Sequence, residues 1–424
     1  MKVTVVGAGL AGSEAIWQLA KRGIHVDVFE MRPKRKAPAF VSGDFAELVC
    51  SNSLRSDAKD TAVGVLKEEM RLLDSLVIRI AQETRIPAGS ALAVDRVAFA
   101  RKITETIEAL DNVTIHREEV TEIPDTPCII ATGPLTSDAL FIKLQGLIGT
   151  QSLYFYDAIA PIIDKSTIDM TKVTRASRYD VGEDYLNCPL NKEEFERFYD
   201  FLIQAELAPL HDFEEQIFFE GCMPIEVLAK RGPKTLLFGP MKPVGLSPEP
   251  YAVVQLRQDD AADTLVNMVG FQTRLSWPAQ REMLKFIPGL KSAQIARYGV
   301  CHRNTYLNSP LFLDKHYQFK KIPGLYFAGQ MTGVEGYVES SASGLIAGLS
   351  LARALLDQDP LPLDNTTVIG ALSTHISQGN PKHFVPYNAN FGLMRCQSEV
   401  KPSARRTALA AQAIANIETL VKSL

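Results

Sequence analysis

Three glycines within six residues, set between a strand and a helix, constrain this chain more than any other feature. Lys2-Val-Thr-Val-Val6 is a short β-rich run, Gly7-Ala8-Gly9-Leu10-Ala11-Gly12 follows, and apolar residues at helical spacing (Ala15, Ile16, Leu19, Ala20) lead to Gly23. Ile24 to Phe29 reads as a second strand closed by Glu30. Glycines in such a turn let backbone N–H groups approach a pyrophosphate at the helix N-terminus, and a carboxylate ending the second strand accepts hydrogen bonds from a ribose hydroxyl. A GxGxxG alone is weak, and a glycine-rich turn without a ligand is the bland reading. Here strand, helix and acid are in register, which points to a bound dinucleotide.

Three further features favour FAD over a nicotinamide nucleotide. Glu14 extends the motif to GxGxxGxE, a pattern frequent in FAD-binding proteins. Ala131-Thr132-Gly133 ends an apolar strand beginning at Cys128. Tyr326-Phe-Ala-Gly329-Gln330 runs into a Gly- and Ser-rich stretch holding Glu339, Ser340 and Ser341, ahead of a helix rich in small residues. Backbone N–H groups at that helix start can cradle a flavin edge. Flavoproteins of this fold usually carry Gly-Asp where this chain has Gly329-Gln330, which removes a charge there. No second well-formed GxGxxG follows, so NAD(P)H is expected to bind transiently.

Residues 65–82 carry apolar positions at helical spacing, 97–110 read as another helix and Val113–His116 as a strand. Residues 151 to about 299 change character, with short Pro-bounded segments and no βαβ alternation. The expectation is an α/β protein: a Rossmann-like FAD-binding domain of the glutathione-reductase-like type, built from 1–150 and 300–424, with an inserted α+β domain at 151–299. An amphipathic helix is expected over 403–424, its basic residues (Lys401, Arg405, Arg406, Lys422) on a solvated face.

Composition excludes little. At 46% hydrophobic and 22% charged the chain is of ordinary globular type, and no apolar run reaches the roughly 18–20 residues of a membrane helix. Glycines and Glu14 break up the N-terminus, so it does not read as a secretory signal, and the cytoplasm is the expected compartment. The six cysteines (50, 128, 188, 222, 301, 396) are scattered without CxxC pairs, so no metal site is expected. A net charge of −4 neither requires nor forbids an RNA partner.

The chemistry is carried elsewhere. Glu47-Leu-Val-Cys50-Ser-Asn-Ser-Leu-Arg55-Ser56 gathers a thiol, hydroxyls, an amide and a guanidinium, with Arg55 expected near the flavin phosphates. Glu220-Gly-Cys222-Met-Pro-Ile-Glu226 offers a second thiol on a Gly/Pro turn, and Cys301-His-Arg-Asn-Thr-Tyr-Leu-Asn-Ser-Pro310 follows later. With GAGLAGSE (7–14), these blocks resemble, over nearly the whole chain, the folate- and FAD-dependent tRNA (uracil-5-)-methyltransferase family, TrmFO. The Gln272-Thr-Arg-Leu275 element and the Gly-rich stretch from Gly329 to Tyr337 are shared with the glucose-inhibited division protein A family, which modifies wobble uridines and has an extra helical C-terminal domain.

The resemblance implies methylation at C5 of uridine 54 in the tRNA T-loop. It implies 5,10-methylenetetrahydrofolate as carbon donor, reduced FAD as reductant, and NAD(P)H to recharge it. C5 of uracil is a poor nucleophile until a thiolate adds to C6, and a base must later remove the C5 proton. The family pattern carries over to Cys222 and Cys50. Cys222 is read as the C6 nucleophile, its turn and the nearby Lys230 and Arg231 favouring thiolate, and Cys50 as proton acceptor or guard of the flavin. These roles are open to exchange, and so is whether the methylene passes through the flavin. Cys128 reads as core, and Cys188, Cys301 and Cys396 as structural. His302, Arg274, Arg303 and Tyr337 stand between substrate contacts and interdomain ties. The competing readings are wobble-uridine modification, a flavin oxidoreductase acting on a small molecule, and a non-catalytic RNA-binding flavoprotein.

Overall fold

The structure, a computed structural model, describes residues 1–35, 40–149, 152–180, 182–209, 223–422 and 424; at 152–157, 180, 302, 303 and 305 only the backbone is described. The amino-terminal strand Lys2–Val6 lies at the centre of a five-stranded sheet in the order Leu325–Phe327, Cys128–Ile130, Lys2–Val6, His25–Phe29, Val113–His116. All four pairings are parallel. The registers Val6↔Phe29, Val6↔Ile130 and Phe327↔Ile130 align the carboxyl ends of four strands on one edge. The chain is therefore an α/β protein with a Rossmann-like sheet, and ligands of such sheets bind beyond that edge. Parallel strands covered on both faces need apolar runs, and Val3, Val5, Val26, Val28, Ile129 and Phe327 are all fully buried.

The helix Leu10–Ala20 packs along the long helix Tyr337–Leu355. Their closeness depends on glycine. A Cβ on Gly344 would lie 2.0 Å from the Ala11 carbonyl oxygen, and one on Gly348 2.7 Å from the Ala15 Cα. Within the turn, a Cβ on Gly12 would lie 1.9 Å from the Gly7 carbonyl oxygen. The amphipathic helix Arg405–Val421 buries Leu409, Ala413 and Ile417 against the same core, leaving Lys401, Arg405, Arg406 and Lys422 exposed.

A second apolar core lies around a six-stranded antiparallel sheet, ordered Thr174–Arg175, Tyr185–Leu190, Ala252–Gln258, Leu265–Met268, Ile162–Asp164, Ile295–Arg297. Helices Lys192–Gln204 and Trp277–Lys285 cover it. An antiparallel ribbon of Ser152–Ala158 with Cys301–Leu307 joins the two cores. No helix among the described residues is long and apolar enough to cross a membrane.

The stretch 65–82 is two helices, Ala62–Leu72 and Leu76–Glu83, rather than one. Asp74 sits at φ +59° and the Ser75 hydroxyl accepts from the Ile78 N–H, so the second helix starts afresh. Glu14 explains why it starts there: its buried carboxylate accepts from the Ser75 hydroxyl, from the Val77 N–H at 2.9 Å and from the Leu76 N–H at 3.3 Å. Glu69 repeats the device, taking the N–H groups of Val368 (2.7 Å) and Ile369 (2.8 Å) at the start of helix Val368–Gln378.

Burial pushes both carboxyls up, Glu14 to about 7 and Glu69 to about 8, against the lowering pull of those hydrogen bonds. The unfolded chain titrates these groups near the ordinary value of about 4.3, so the folded state binds more protons between there and about 8. Their contribution to stability is complete below about pH 4.3 and is lost as pH rises through about 7 and 8. Glu69→Gln keeps one acceptor oxygen at the helix start and does not titrate. Thermal midpoints recorded from pH 6 to 9 are expected to fall more steeply for the parent than for Glu69→Gln; parallel curves would refute the assignment.

Candidate active site

Each turn leaving the aligned sheet edge contributes a wall of one cleft, enclosing about 1040 Å³ of space with the solvent at its mouth included. Gly7, Gly9, Leu10 and Ala11 come from the first turn, Glu30 from the second strand, and Thr132 and Gly133 from the third strand to end here. Gly329, Gln330, Tyr337 and Ser340 close the opposite side. A Cβ on Gly9 would meet nothing within 4 Å, so that backbone faces open space. Gly329, at φ +87°, is held by its N–H donating to the Ser343 hydroxyl at 2.7 Å.

Of the other candidates, Ala8, Gly12, Arg55, Glu339 and Ser341 do not line this cleft. Arg55 pairs with Glu339, Nη1 to Oε1 at 2.9 Å, and the Ala389 N–H donates to the same oxygen at 2.8 Å. Burial pushes the Glu339 carboxyl up, opposed by Arg55. The charge missing at Gln330 returns nearby, where its amide donates to Glu335 at 2.6 Å.

Arg32 is a residue the sequence reading passed over. Glu30 accepts the Ala8 N–H (3.0 Å), the Arg32 N–H (3.0 Å) and the Arg32 guanidinium at Nε (2.9 Å) and Nη2 (3.2 Å). Arg32 also reaches Glu47 at 3.2 Å, with its guanidinium 4.1 Å from the Phe40 ring centre. Burial pushes Glu30 up, but the Arg32 guanidinium and the two N–H groups outweigh it and hold the carboxyl below its ordinary range. Both Glu30 and Arg32 line the cleft, so this edge presents a buried ion pair rather than a lone carboxylate. An arginine two positions after the strand-ending acid, on the same side of the extended chain, was the available signal.

The Cys50 loop enters from the same side. Cys50 is half-buried, and its backbone N–H donates to the Tyr337 hydroxyl at 2.7 Å, followed by the Ser51 N–H at 3.2 Å. Burial foremost, then Cys50 nearby, pushes the Tyr337 hydroxyl far up, so it stays protonated. Residues of the antiparallel unit hold the loop from below. Arg257 donates to the Asn52 side-chain oxygen (3.0 Å) and the Ser51 hydroxyl (2.7 Å), and Asn52 donates to the Gln258 carbonyl (3.0 Å). Arg96 ties the Leu48 carbonyl (2.8 Å) to Asp259 (2.8 Å). These buried ties were invisible in sequence because their partners lie from 48 to 206 residues apart.

Cys222 lies outside the described residues, as do Glu220 and Gly221. The segment after it is firmly anchored: the Ile225 N–H donates to the Gln272 carbonyl at 2.7 Å. Glu226 accepts from the Thr273 hydroxyl (2.9 Å) and the Arg274 N–H (2.8 Å). The Thr273 N–H in turn meets the Ile159 carbonyl at 3.3 Å, and the Cys50 thiol approaches the Ala158 carbonyl at 3.7 Å. The Cys50 thiol thus meets Ala158, while the segment following Cys222 is linked to the adjacent Ile159 only through Thr273. Cys128 and Cys188 are fully buried, and burial pushes each thiol up to about 12, which makes them core.

Comparison with known proteins agrees with this architecture. A family model described as glucose inhibited division protein A matches residues 2–359. The methylenetetrahydrofolate–tRNA-(uracil-5-)-methyltransferase TrmFO of Bacillus licheniformis is 59% identical over 431 residues, covering 100% of this chain and 99% of the relative. Its counterpart in Anoxybacillus flavithermus is 58% identical over 432 residues, covering 100% of both. Among solved structures, GidA of Aquifex aeolicus superposes with a TM-score of 0.74 at 17% identity, over 100% of this chain and 73% of that one, a likeness of fold alone. With relatives this similar end to end, the chain belongs to the TrmFO family, within the wider glucose inhibited division protein A group.

Proposed function

We propose that the protein methylates C5 of uridine 54 in the T-loop of tRNA. The carbon comes from 5,10-methylenetetrahydrofolate, and the electrons from FAD kept reduced by NAD(P)H. What carries the reading is near-60% identity to methyltransferases of that name along the whole chain. The Cys50 loop beside a dinucleotide cleft, with the segment after Cys222 linked to it through Thr273 and Ile159, supports it. In this reading residues 1–150 and 300–424 hold the cofactor, 151–299 supply one thiol and part of the RNA surface, and the work is cytoplasmic.

The cleft fits an adenine dinucleotide. Gly7 to Gly12 offer backbone N–H groups at a helix start, with open space in front of Gly9 for the pyrophosphate. The Glu30–Arg32 pair suits the ribose end, Thr132 and Gly133 the middle, and Gly329, Gln330 and Ser340 the flavin edge. Arg55, Glu339 and Ser341 support that edge by holding the start of helix Tyr337–Leu355. When bound, the flavin supplies the hydride that turns the transferred methylene into a methyl.

The chain's own groups do the rest. Cys222 thiolate adds to C6 of uracil, placing an electron pair on C5, which attacks the folate methylene as its carbon–nitrogen bond breaks. Cys50 accepts the C5 proton, its loop fixed by Tyr337 and Arg257. Loss of the thiolate from C6 frees the product. Incubating the protein with unmodified tRNA, methylenetetrahydrofolate, FAD and NADPH is expected to yield 5-methyluridine. No product, or product only with S-adenosylmethionine, overturns the proposal.

A further inference from the structure

Trp277 is 57% exposed, yet its ring is not loose: it stacks on Tyr298 with centroids 4.9 Å apart and planes 17° from parallel. Arg281, one turn along helix Trp277–Lys285 and so on the same face, donates to the Tyr298 hydroxyl at 2.8 Å. The base of this stack is rigid. Gln280 binds both the N–H and the carbonyl of Gly299, each at 2.8 Å. A Cβ on Gly299 would lie 2.6 Å from the Ile159 carbonyl oxygen and 2.8 Å from Thr273. Tyr298 therefore emerges one residue from Gly299, which packs on Ile159, next to the Ala158 that Cys50 meets, and on Thr273, which binds Glu226 of the segment after Cys222.

The segment that follows Glu226, itself docked on Thr273 and Arg274, is rich in cations. From 227 to 248 the chain carries Lys230, Arg231, Lys234 and Lys242 and no acidic residue. That run opens from the segment docked on Gln272 to Arg274, just before Trp277. Glu282, on the same helix, is paired with Lys285, and Glu206 accepts from the Ser276 hydroxyl. An exposed indole stacked on a fixed tyrosine, with an arginine beside it, matches the chemistry that recognises unpaired RNA. Such bases stack on aromatic or guanidinium planes while phosphates meet cations.

We infer that the Trp277–Tyr298 stack, flanked by Arg281, is a platform on which an unpaired base of the tRNA stacks next to the target uridine. The inference rests on the tRNA methyltransferase reading but is tested on binding alone. The chain has two tryptophans, so a Trp17→Phe background leaves Trp277 as the sole indole reporter. Adding unmodified tRNA transcript is expected to quench its emission. Trp277→Ala is expected to weaken tRNA binding at fixed salt by roughly 5- to 150-fold, the span set by about 1–3 kcal/mol per base stack. Trp277→Phe should recover most of that loss, with flavin content and thermal midpoint unchanged in both. Unchanged affinity in Trp277→Ala, or an unquenched Trp277 on saturated protein, overturns the platform. If Trp277→Ala does not fold, the quenching measurement decides. Absence of 5-methyluridine from the parent protein would strike the proposed function instead.

Discussion

Gly344→Ala is expected to destabilise the protein by about 3 kcal/mol and to strip it of flavin, whereas Gly348→Ala one turn later is expected to cost about 1–2 kcal/mol and keep it. The difference follows from what each methyl would strike. At 344 it would sit 2.0 Å from the Ala11 carbonyl oxygen and 2.6 Å from that carbonyl carbon, so backbone, not a flexible side chain, must move. Ala11 lines the cleft, two residues beyond Gly9, and pushing the helix Leu10–Ala20 away tilts the N–H groups meant for the pyrophosphate. At 348 the contacts are 2.7 Å to the Ala15 Cα and 2.8 Å to its oxygen, milder and a full turn further from the ligand end. Close-packed interiors leave no slack to absorb either shift. Urea unfolding gives the stability, and the ratio of flavin absorbance to protein gives the occupancy. Full flavin in Gly344→Ala would mean that the helix contact does not set the cleft.

The same contact marks how far the sequence could be read. The Gly7–Gly12 turn was legible because its requirements are local: tight turn, helix start and acid all fall within thirty residues. The small residues after Ser343 were visible too, but their reason was not, because it lies on Ala11 and Ala15, more than three hundred residues earlier. Glu14 was legible as part of a cofactor pattern, while its contacts hold the start of another helix. The break at Asp74 escaped notice because the apolar periodicity continues on both sides of it, and only the Ser75 cap and Glu14 restart the helix. The buried ties from Arg257, Asp259 and Arg96 to the Cys50 loop depend on how two cores dock, which local propensity does not encode. Chemistry concentrated in short segments was readable; the scaffold that aims those segments was not.

Cys222→Ala is expected to abolish the covalent adduct with 5-fluorouridine-containing tRNA and to lower methylation by roughly 10⁴- to 10⁶-fold, the scale of losing a covalent nucleophile. Fluorine at C5 cannot leave as a proton does, so the complex is trapped after addition to C6, and the trap reports the attacking thiol directly. Cys50→Ala is expected to retain adduct formation while losing turnover, because a proton acceptor acts after the carbon has been transferred. The backbone of Cys50 is pinned to Tyr337, a residue of the cleft wall, which fixes where its side chain starts. Cys222 precedes a segment anchored through Ile225 and Glu226 to the antiparallel unit. Electrophoresis of the RNA-linked protein separates the outcomes. An adduct that survives Cys222→Ala and vanishes in Cys50→Ala reverses the two roles, and one that survives both substitutions removes these thiols from the attack on C6.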